Sequence, residues 1–188
     1  MTTAIQSSPT TLLTAADLLL LGDEKRGELI RGVFCEMAPP GREHGRIAAL
    51  VTHELVAYAL AERAGTVVGE SGVQLERDPD TVRAPDVAFT SYARSPAGSV
   101  THRYAQEVPE LVVEVVSPSD RHAAVHDKAR MWLGFGAQLV WVVFPASRTV
   151  EVHRVGTDPI ETLNETDVLD GADVLPGFSC PLSRLFAD

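Results

Sequence analysis

Apolar side chains recur every third or fourth residue in two long segments of the chain. Residues 45–63 and 120–135 show this spacing, which is typical of amphipathic helices with one face against a core. A shorter segment, residues 15–21, follows Thr14, whose hydroxyl can cap a helix, and it is ended by a glycine. The pattern therefore predicts three helices, one of them near the start of the chain.

Extended apolar runs separate these helices. The runs LVVEVVS at 111–117 and LVWVVF at 139–144 are nearly continuous, which is typical of strands buried on both faces. Polar residues 91–107 predict a mobile loop. Shorter runs predict the other strands, at residues 66–76, 81–90 and 149–154, with a hairpin about Gly32 in residues 27–37 and a last short strand with a turn at 175–178.

This order of elements predicts an α/β fold, with a mixed β-sheet flanked by helices and an additional N-terminal helix and hairpin. The chain has 188 residues and a mass of 20.2 kDa, enough for one domain with a core of its own. We therefore expect a single domain over residues 11–188, preceded by a loose tail at residues 1–10.

The charge balance narrows the range of functions. With 16 basic and 26 acidic residues the net charge is -10, and an evenly acidic surface repels DNA, RNA and anionic membranes. A basic-patch binder is therefore excluded as the simplest interpretation, but a nucleic-acid enzyme whose metal ions offset the charge is not. Only two basic residues are lysines, Lys25 and Lys128, so the setting of each can be considered individually.

The cysteines and the start of the chain bear on location. Cys35 and Cys180 form no C-x-x-C pair, which argues against a zinc ribbon or a thioredoxin-type site. They indicate unpaired thiols in a reducing cytoplasm, with a single disulfide as the alternative that the sequence leaves open. The first ten residues lack a basic start, and the apolar run 18–21 is too short for a signal peptide core or a membrane span. We therefore expect a cytoplasmic protein with no membrane partner.

Glu114 interrupts the apolar run at 111–116. An ionised carboxylate in a strand buried on both faces costs several kcal/mol unless it is paired or binds a metal ion. The alternatives are an acid at the rim of the strand and a structural ion pair.

Lys128 stands on the apolar side of the predicted helix over 120–135. It shares a stripe with Trp132 and Phe135, which should face the sheet. The alternative is a packed stem whose ammonium reaches water. That alternative weakens because the helix directly follows the strand of Glu114 and packs back near it.

Asp86 follows a proline where a strand begins, and Glu70 follows a glycine inside a strand pattern. For Asp86 alone, a turn acid before a strand is the preferred interpretation, and for Glu70 alone the alternative is a surface acid. With Glu114 and Lys128 they make three carboxylates and one lysine on consecutive elements. Oxygen ligands without a His or Cys cluster suit Mg²⁺ or Mn²⁺, which bind phosphate oxygens and lower the pKa of an attacking water. A nearby lysine can orient that water, accept its proton or offset developing charge.

These residues resemble a known pattern. Pro85-Asp86, then an acid in an apolar strand, then a lysine, is similar to the PD-(D/E)XK nuclease pattern, and nearly the whole chain resembles the Uma family of restriction endonucleases. The matching segments are GELIRGVFCEM (27–37), PPGREHGRI (39–47), Gly69-Glu70, APDVAF (84–89), PELVVEVVSPSD (109–120), Asp127-Lys128, LVWVV (139–143) and GADVLPGF (171–178).

The resemblance implies a restriction-endonuclease-like core and an Mg²⁺- or Mn²⁺-dependent endonuclease that cuts DNA by in-line water attack. A homodimer would suit a double-strand cutter. The resemblance assigns catalytic roles to Asp86, Glu114, Lys128 and Glu70, with the three acids as metal ligands or, for Glu70, as a ligand-positioning acid. His44 matches a family histidine that would contact a phosphate or hydrogen-bond a carboxylate, with a surface role at the helix start as the alternative. Glu28 matches a family acid that would contact substrate or support the ligands.

Three positions depart from the related pattern. Val116 stands where most of the superfamily has its lysine, and the Uma family instead carries the lysine on the following helix, as Lys128 would be. Ala124 replaces an acid four residues before that lysine, and Trp132 replaces a tyrosine four residues after it. None of these changes removes a metal ligand.

Two other functions fit the same residues. The first is a catalytically weak or inactive module that kept the nuclease fold and binds nucleic acid or a protein partner. The second is a phosphodiesterase that acts on small nucleotide esters.

Overall fold

The computed structural model describes residues 11–22, 25–99, 102–156 and 159–187, so the predicted tail at 1–10 lies outside the described residues. The helices are α1 (Ala15–Leu21), α2 (Arg42–Glu62), α3 (His122–Gly134) and α4 (Leu182–Phe186). The strands are β1 (Gly27–Ile30), β2 (Val33–Glu36), β3 (Gly65–Gly69), β4 (Val73–Glu76), β5 (Thr81–Arg83), β6 (Val87–Ser91), β7 (Leu111–Val115), β8 (Leu139–Phe144), β9 (Thr149–Arg154), β10 (Glu161–Asn164), β11 (Val168–Gly171) and β12 (Leu175–Pro181).

A six-stranded mixed sheet carries the main core. Its order is β10-β9-β8-β7-β6-β3, with β7 and β8 parallel and every other neighbouring pair antiparallel. Helix α3 makes the crossover between the two parallel strands and covers one face, where Val112, Val140 and Val142 pack against Trp132. Helices α2 and α4 cover the other face. Both central strands are buried along their whole length, as their apolar runs predicted.

A smaller sheet, in the order β2-β1-β5-β4, lies beside the first and packs against α1. The predicted hairpin at its edge is confirmed, with Gly32 in the left-handed region at φ 78°. Thr14 caps α1 as predicted, because its side chain accepts from the backbone N–H of Asp17. Additional N-terminal elements therefore form a second layer that brings β1 close to the central strands.

Two predicted strands were too long. Residues 66–76 divide into β3 and β4 in different sheets, and residues 81–90 divide into β5 and β6 in the same way. Glu70 adopts φ 50° at the first break, and its backbone N–H donates to the carbonyl of Pro85 at 3.1 Å. Pro85 has no N–H for a ladder, so pairing must stop there. Both segments thus pass from one sheet to the other at neighbouring positions. Asp86 lies at this junction of the two sheets, which we call the seam.

The last third of the chain differs most from its pattern. β10, β11 and α4 were not predicted, and the turn expected at 175–178 lies inside β12, where Gly177 has φ 82°.

The predicted loop at 91–107 contains turns in its described part and is tied to β4, since Gln74 N–H donates to the carbonyl of Ala105 at 2.8 Å. Cys35 and Cys180 are free thiols. Within the described residues, no helix combines the length and apolar character that crossing a bilayer needs.

Two glycine substitutions test this packing. A Cβ at Gly65 would overlap the carbonyl of Thr90 on the paired strand, whereas one at Gly45 in α2 meets open space. We expect Gly65→Ala to lower the free energy of unfolding by about 1–3 kcal/mol. The matched Gly45→Ala should raise it by up to about 1 kcal/mol, because alanine favours helix. Urea unfolding measures both, and wild-type stability in Gly65→Ala would contradict the packing of β3 on β6.

Candidate active site at the seam of the two sheets

Glu114 is buried in β7 and faces α3. Its Oε2 accepts from Lys128 Nζ at 2.8 Å, and its Oε1 accepts from Trp132 Nε1 at 2.7 Å. The two donors are four residues apart on α3, so one face of the helix supplies both. The expected inward position of Lys128 is therefore what the structure shows, and the carboxylate has a partner at each oxygen.

Asp86 is held beside Glu114 by the backbone. Because Val87 pairs with Val113 in the antiparallel β6–β7 ladder, the residue before β6 is level with Glu114. The Oδ2 atom of Asp86 accepts from the backbone N–H of Val115 at 2.6 Å and lies 3.2 Å from His44 Nε2. His44 stands in the first turn of α2. Contacts from two elements, β7 and α2, thus fix this carboxylate.

Glu28 brings the smaller sheet into the site. From β1, its Oε1 accepts from the backbone N–H of Ala84 at 3.0 Å and lies 3.9 Å from Lys128 Nζ. Its Oε2 lies 2.8 Å from Arg83 Nε. The Lys128 ammonium is therefore between one acid of each sheet.

Glu70 has a different setting. Its Oε1 lies 2.5 Å from Arg26 Nη2, and its side chain is 51% exposed. It lines a cleft of about 370 Å³ that also includes Glu28 and Asp86. The structure thus places Glu70 near the other predicted residues but pairs its carboxylate with an arginine, and its predicted role as a ligand stays a prediction.

Four of the predicted residues share a second opening. A cleft of about 600 Å³ is lined by His44, Asp86, Glu114 and Lys128. Ala124, the small residue that departs from the related pattern, lies on its wall. The side chains of Asp86 and Lys128 are 20% and 21% exposed, so solvent reaches them through this cleft.

Comparison with known proteins gives the family. The model of the Uma2 family, described as "Putative restriction endonuclease", matches residues 14–183. The chain belongs to the Uma2 family. Comparison with the curated proteins gives no match.

A solved structure confirms the predicted fold of this Uma2 member. The chain is similar to the crystal structure of a putative nuclease belonging to DUF820 from Anabaena variabilis, with a TM-score of 0.78 and 19% sequence identity. The match covers 93% of this chain and 97% of that one. The fold is restriction-endonuclease-like, with mixed sheets flanked by helices.

Burial and charge set the protonation of the Uma2 site. Burial raises the pKa of Glu114, while Lys128 opposes that rise. Burial alone would lower the pKa of Lys128, but Glu114 and Glu28 raise it above its ordinary value, so the amine is an ammonium at neutral pH. The hydrogen bond to Asp86 raises the pKa of His44, with smaller contributions from the charges of Asp86, Glu70 and Asp120.

Sequence reasoning missed three partners in this site. Trp132 donates to Glu114, so the indole N–H supplies a donor at the position where the resemblance led us to expect a tyrosine. The Val115 N–H binds Asp86, and Arg83 pairs with Glu28. Arg83 could have been noted, since it stands just before Pro85-Asp86, whereas the Val115 contact depends on strand register and has no local signal.

Removing the ammonium tests the charge balance. We expect Lys128→Met to lower the free energy of unfolding at pH 7 by about 3–5 kcal/mol, because Glu114 loses its counter-charge inside the fold. Burial raises the pKa of Glu114 in the wild type and Lys128 opposes the rise, so loss of Lys128 should raise this pKa further. The folded variant would then bind a proton more tightly than the unfolded chain. The loss of unfolding free energy should therefore be smaller below the pH range in which free carboxyl groups titrate, and it should grow as the pH rises through that range. Urea unfolding at several pH values measures this.

Two further variants serve as controls for that measurement. Arg130→Met removes an ion pair on the same helix whose partners are 64% and 71% exposed, and should change stability by less than about 1 kcal/mol. Adding Glu114→Gln to Lys128→Met should recover part of the loss. A pH-independent deficit in Lys128→Met would contradict the pairing.

The link between His44 and Asp86 gives a titration test. We expect Asp86→Asn to lower the pKa of His44, because the largest cause of its rise is removed. Glu70→Gln should lower it less, since Glu70 acts only through its charge. Imidazole NMR titration of the three proteins measures the order, and an equal pKa in Asp86→Asn and wild type would refute the contact.

Proposed function

We propose that this protein is a metal-dependent endodeoxyribonuclease that hydrolyses phosphodiester bonds by in-line attack of water. The observation that carries the proposal is the convergence of Asp86, Glu114 and Lys128, from three different elements, on one solvent-open cleft. Membership of the Uma2 family and the shared fold support a nuclease.

The donor set of the cleft fits a hard divalent cation. The cleft is lined by three acids, Asp86, Glu114 and Asp120, and by three bases, Arg26, Arg83 and Lys128. Glu28 contacts Arg83 and Lys128 from beside the cleft, so with all four acids ionised the group has a net charge of -1. The carboxylates of Asp86 and Glu114 would hold Mg²⁺ or Mn²⁺, since such ions prefer oxygen ligands. When bound, the ion supplies a Lewis acid for the phosphate and lowers the pKa of the attacking water.

Lys128 acts through its charge in this proposal. The neighbouring carboxylates raise the pKa of Lys128, which favours the ammonium over the neutral amine that a base would need. The ammonium instead stabilises the negative charge that develops on the phosphate oxygens. The 2.8 Å bond to Glu114 holds it in place before substrate arrives. This setting favours charge stabilisation among the three roles that the sequence allowed.

His44 lies where its imidazole can donate a proton to a bound substrate. It contacts Asp86 at 3.2 Å, lines the same cleft and has a raised pKa. A protonated imidazole at this position can bind a phosphate oxygen or give a proton to the leaving oxygen. Asp86 therefore orients His44 as well as serving as a ligand.

The rim of the cleft favours a polyanionic substrate. Gly41, the N-cap of helix α2, lies there, and no side chain among the described residues caps that terminus, so the first N–H groups of the helix can bind phosphate. Arg26 and Arg83 also line the opening. These groups oppose the overall charge of -10 locally, which makes strong dependence on salt and on metal an expected property of DNA cleavage. A homodimer remains part of the proposal for double-strand cutting.

One observation favours the second candidate, a nuclease-fold module without activity that binds nucleic acid or a protein. Both oxygens of Glu114 already have hydrogen-bond partners, and Trp132 occupies one of them. A carboxylate oxygen has a second lone pair, so a cation can still bind, but the donors compete with it. Metal binding therefore distinguishes the two functions.

Plasmid nicking with Mg²⁺ or Mn²⁺ tests the proposal. We expect Asp86→Asn and Glu114→Gln each to lower the nicking rate by at least about 100-fold, since each removes a ligand and its charge. Asp170→Asn, at an acid 69% exposed on β11, should cut like the wild type. Calorimetry with Mn²⁺ should show binding to the wild type that Asp86→Asn loses.

The outcomes separate the candidates. Binding of Mn²⁺ without cleavage of plasmid or single-stranded DNA would reject the nuclease. No binding of millimolar Mn²⁺ would favour the inactive module. Equal nicking by wild type and Asp86→Asn would exclude this cleft as the active site.

A further inference from the structure

A second group of metal-ligating side chains lies away from the cleft. It comprises His126 on α3 with Glu151 and His153 on β9. Glu151 and His153 are two residues apart on one strand, so they project from the same face of the sheet. Their cross-strand neighbours on β8 are Val142 and Val140, which pack beneath α3. The helix thus brings the third side chain down onto the other two.

The ligand atoms of this His126–Glu151–His153 cluster point at one another. His126 Nε2 lies 2.8 Å from Glu151 Oε2, and His153 Nε2 lies 3.1 Å from the same oxygen. All three ligand atoms lie within 4.8 Å of one another. Two ligands at about 2.0–2.1 Å from a tetrahedral zinc ion are roughly 3.3 Å apart, so small shifts would place these atoms around one ion.

The cluster is separate from the proposed nuclease site. Glu114 pairs with Val142, which pairs with Glu151 on its other side, so the two acids are two strands apart on one face. Two inter-strand spacings amount to roughly 10 Å. Helix α3 lies over the strand between them, with Lys128 reaching one acid and His126 the other. None of the three cluster residues lines the cleft of Asp86.

The donor atoms of this cluster favour a different cation from the one proposed for the cleft. Two imidazole nitrogens and one carboxylate oxygen form a set that zinc-class ions use, whereas Mg²⁺ prefers oxygen alone. His153 is the buried member of the cluster, with 5% of its surface exposed. His126 and Glu151 are partly exposed, so an ion can enter from solvent.

We propose that His126, Glu151 and His153 bind one divalent ion of the zinc class, with a remaining position open to water, and that this ion fastens α3 to β9. The site needs no nuclease activity and does not rest on the proposed function. The ion would join α3 to β9, the strand next to the edge strand β10. Bound ion should therefore stabilise the folded state.

Zinc binding by the full-length protein tests the site. The protein is stripped with EDTA and titrated with Zn²⁺ against a chromogenic chelator, with Co²⁺ absorption as a second probe. We expect one zinc equivalent in the wild type, bound at least tenfold more weakly by His126→Ala and by Glu151→Gln, since even partners outside the ligand shell contribute roughly tenfold. Zn²⁺ should raise the Tm of the wild type and not that of either variant.

Matched variants decide where the ion binds. His53→Ala removes an exposed imidazole from α2, and the Asp86→Asn/Glu114→Gln pair removes the oxygen ligands of the cleft. Both proteins should keep wild-type zinc affinity. Circular dichroism shows whether each variant is folded, and Glu151→Gln preserves shape if His126→Ala does not fold. The proposal is overturned if the wild type binds no zinc, if the cluster variants bind it as tightly as the wild type, or if only the cleft variant loses it.

Discussion

The buried carboxylate of Glu114 is the constraint on which the rest of the site depends. A charged group inside a strand with both faces covered costs several kcal/mol unless it is fully partnered. The fold meets this cost by laying α3 across β7, so that Lys128 and Trp132 reach one oxygen each. An apolar residue would be simpler to bury, and the position is therefore better explained by chemistry than by packing.

The exchange of strands between two sheets determines where that chemistry can occur. One continuous sheet would have paired the backbone at Asp86 and left its side chain on a covered face. The breaks at Glu70 and Pro85 instead leave a seam, where Asp86 binds the Val115 N–H and Glu28 enters from the smaller sheet. The site therefore requires both sheets, and disruption of the N-terminal hairpin would alter the setting of Lys128 although no hairpin residue need touch a substrate.

Local patterns predicted the parts of this arrangement that depend on periodicity. The two central strands, the long helix α2 and the inward side of Lys128 all follow from apolar spacing. Sheet exchange could not be predicted in the same way, because a strand pattern does not specify its partner. The pairing of Glu70 with Arg26 and the contact of Asp86 with Val115 join residues far apart in sequence. Of the predicted site residues, Glu70 is the most exposed, and its carboxylate pairs with Arg26.

Helix α3 has an acidic side chain beneath each of its two edges, and this placement has a consequence for its mobility. Lys128 ties it to Glu114, and His126 ties it to Glu151, on opposite sides of β8. Only Ala129 and Trp132 of the helix are fully buried, so apolar contacts hold a small part of its surface against the sheet. Its rotation about its own axis is therefore limited by polar contacts at both edges. The position of the Lys128 ammonium is in this sense set by His126 as well as by Glu114.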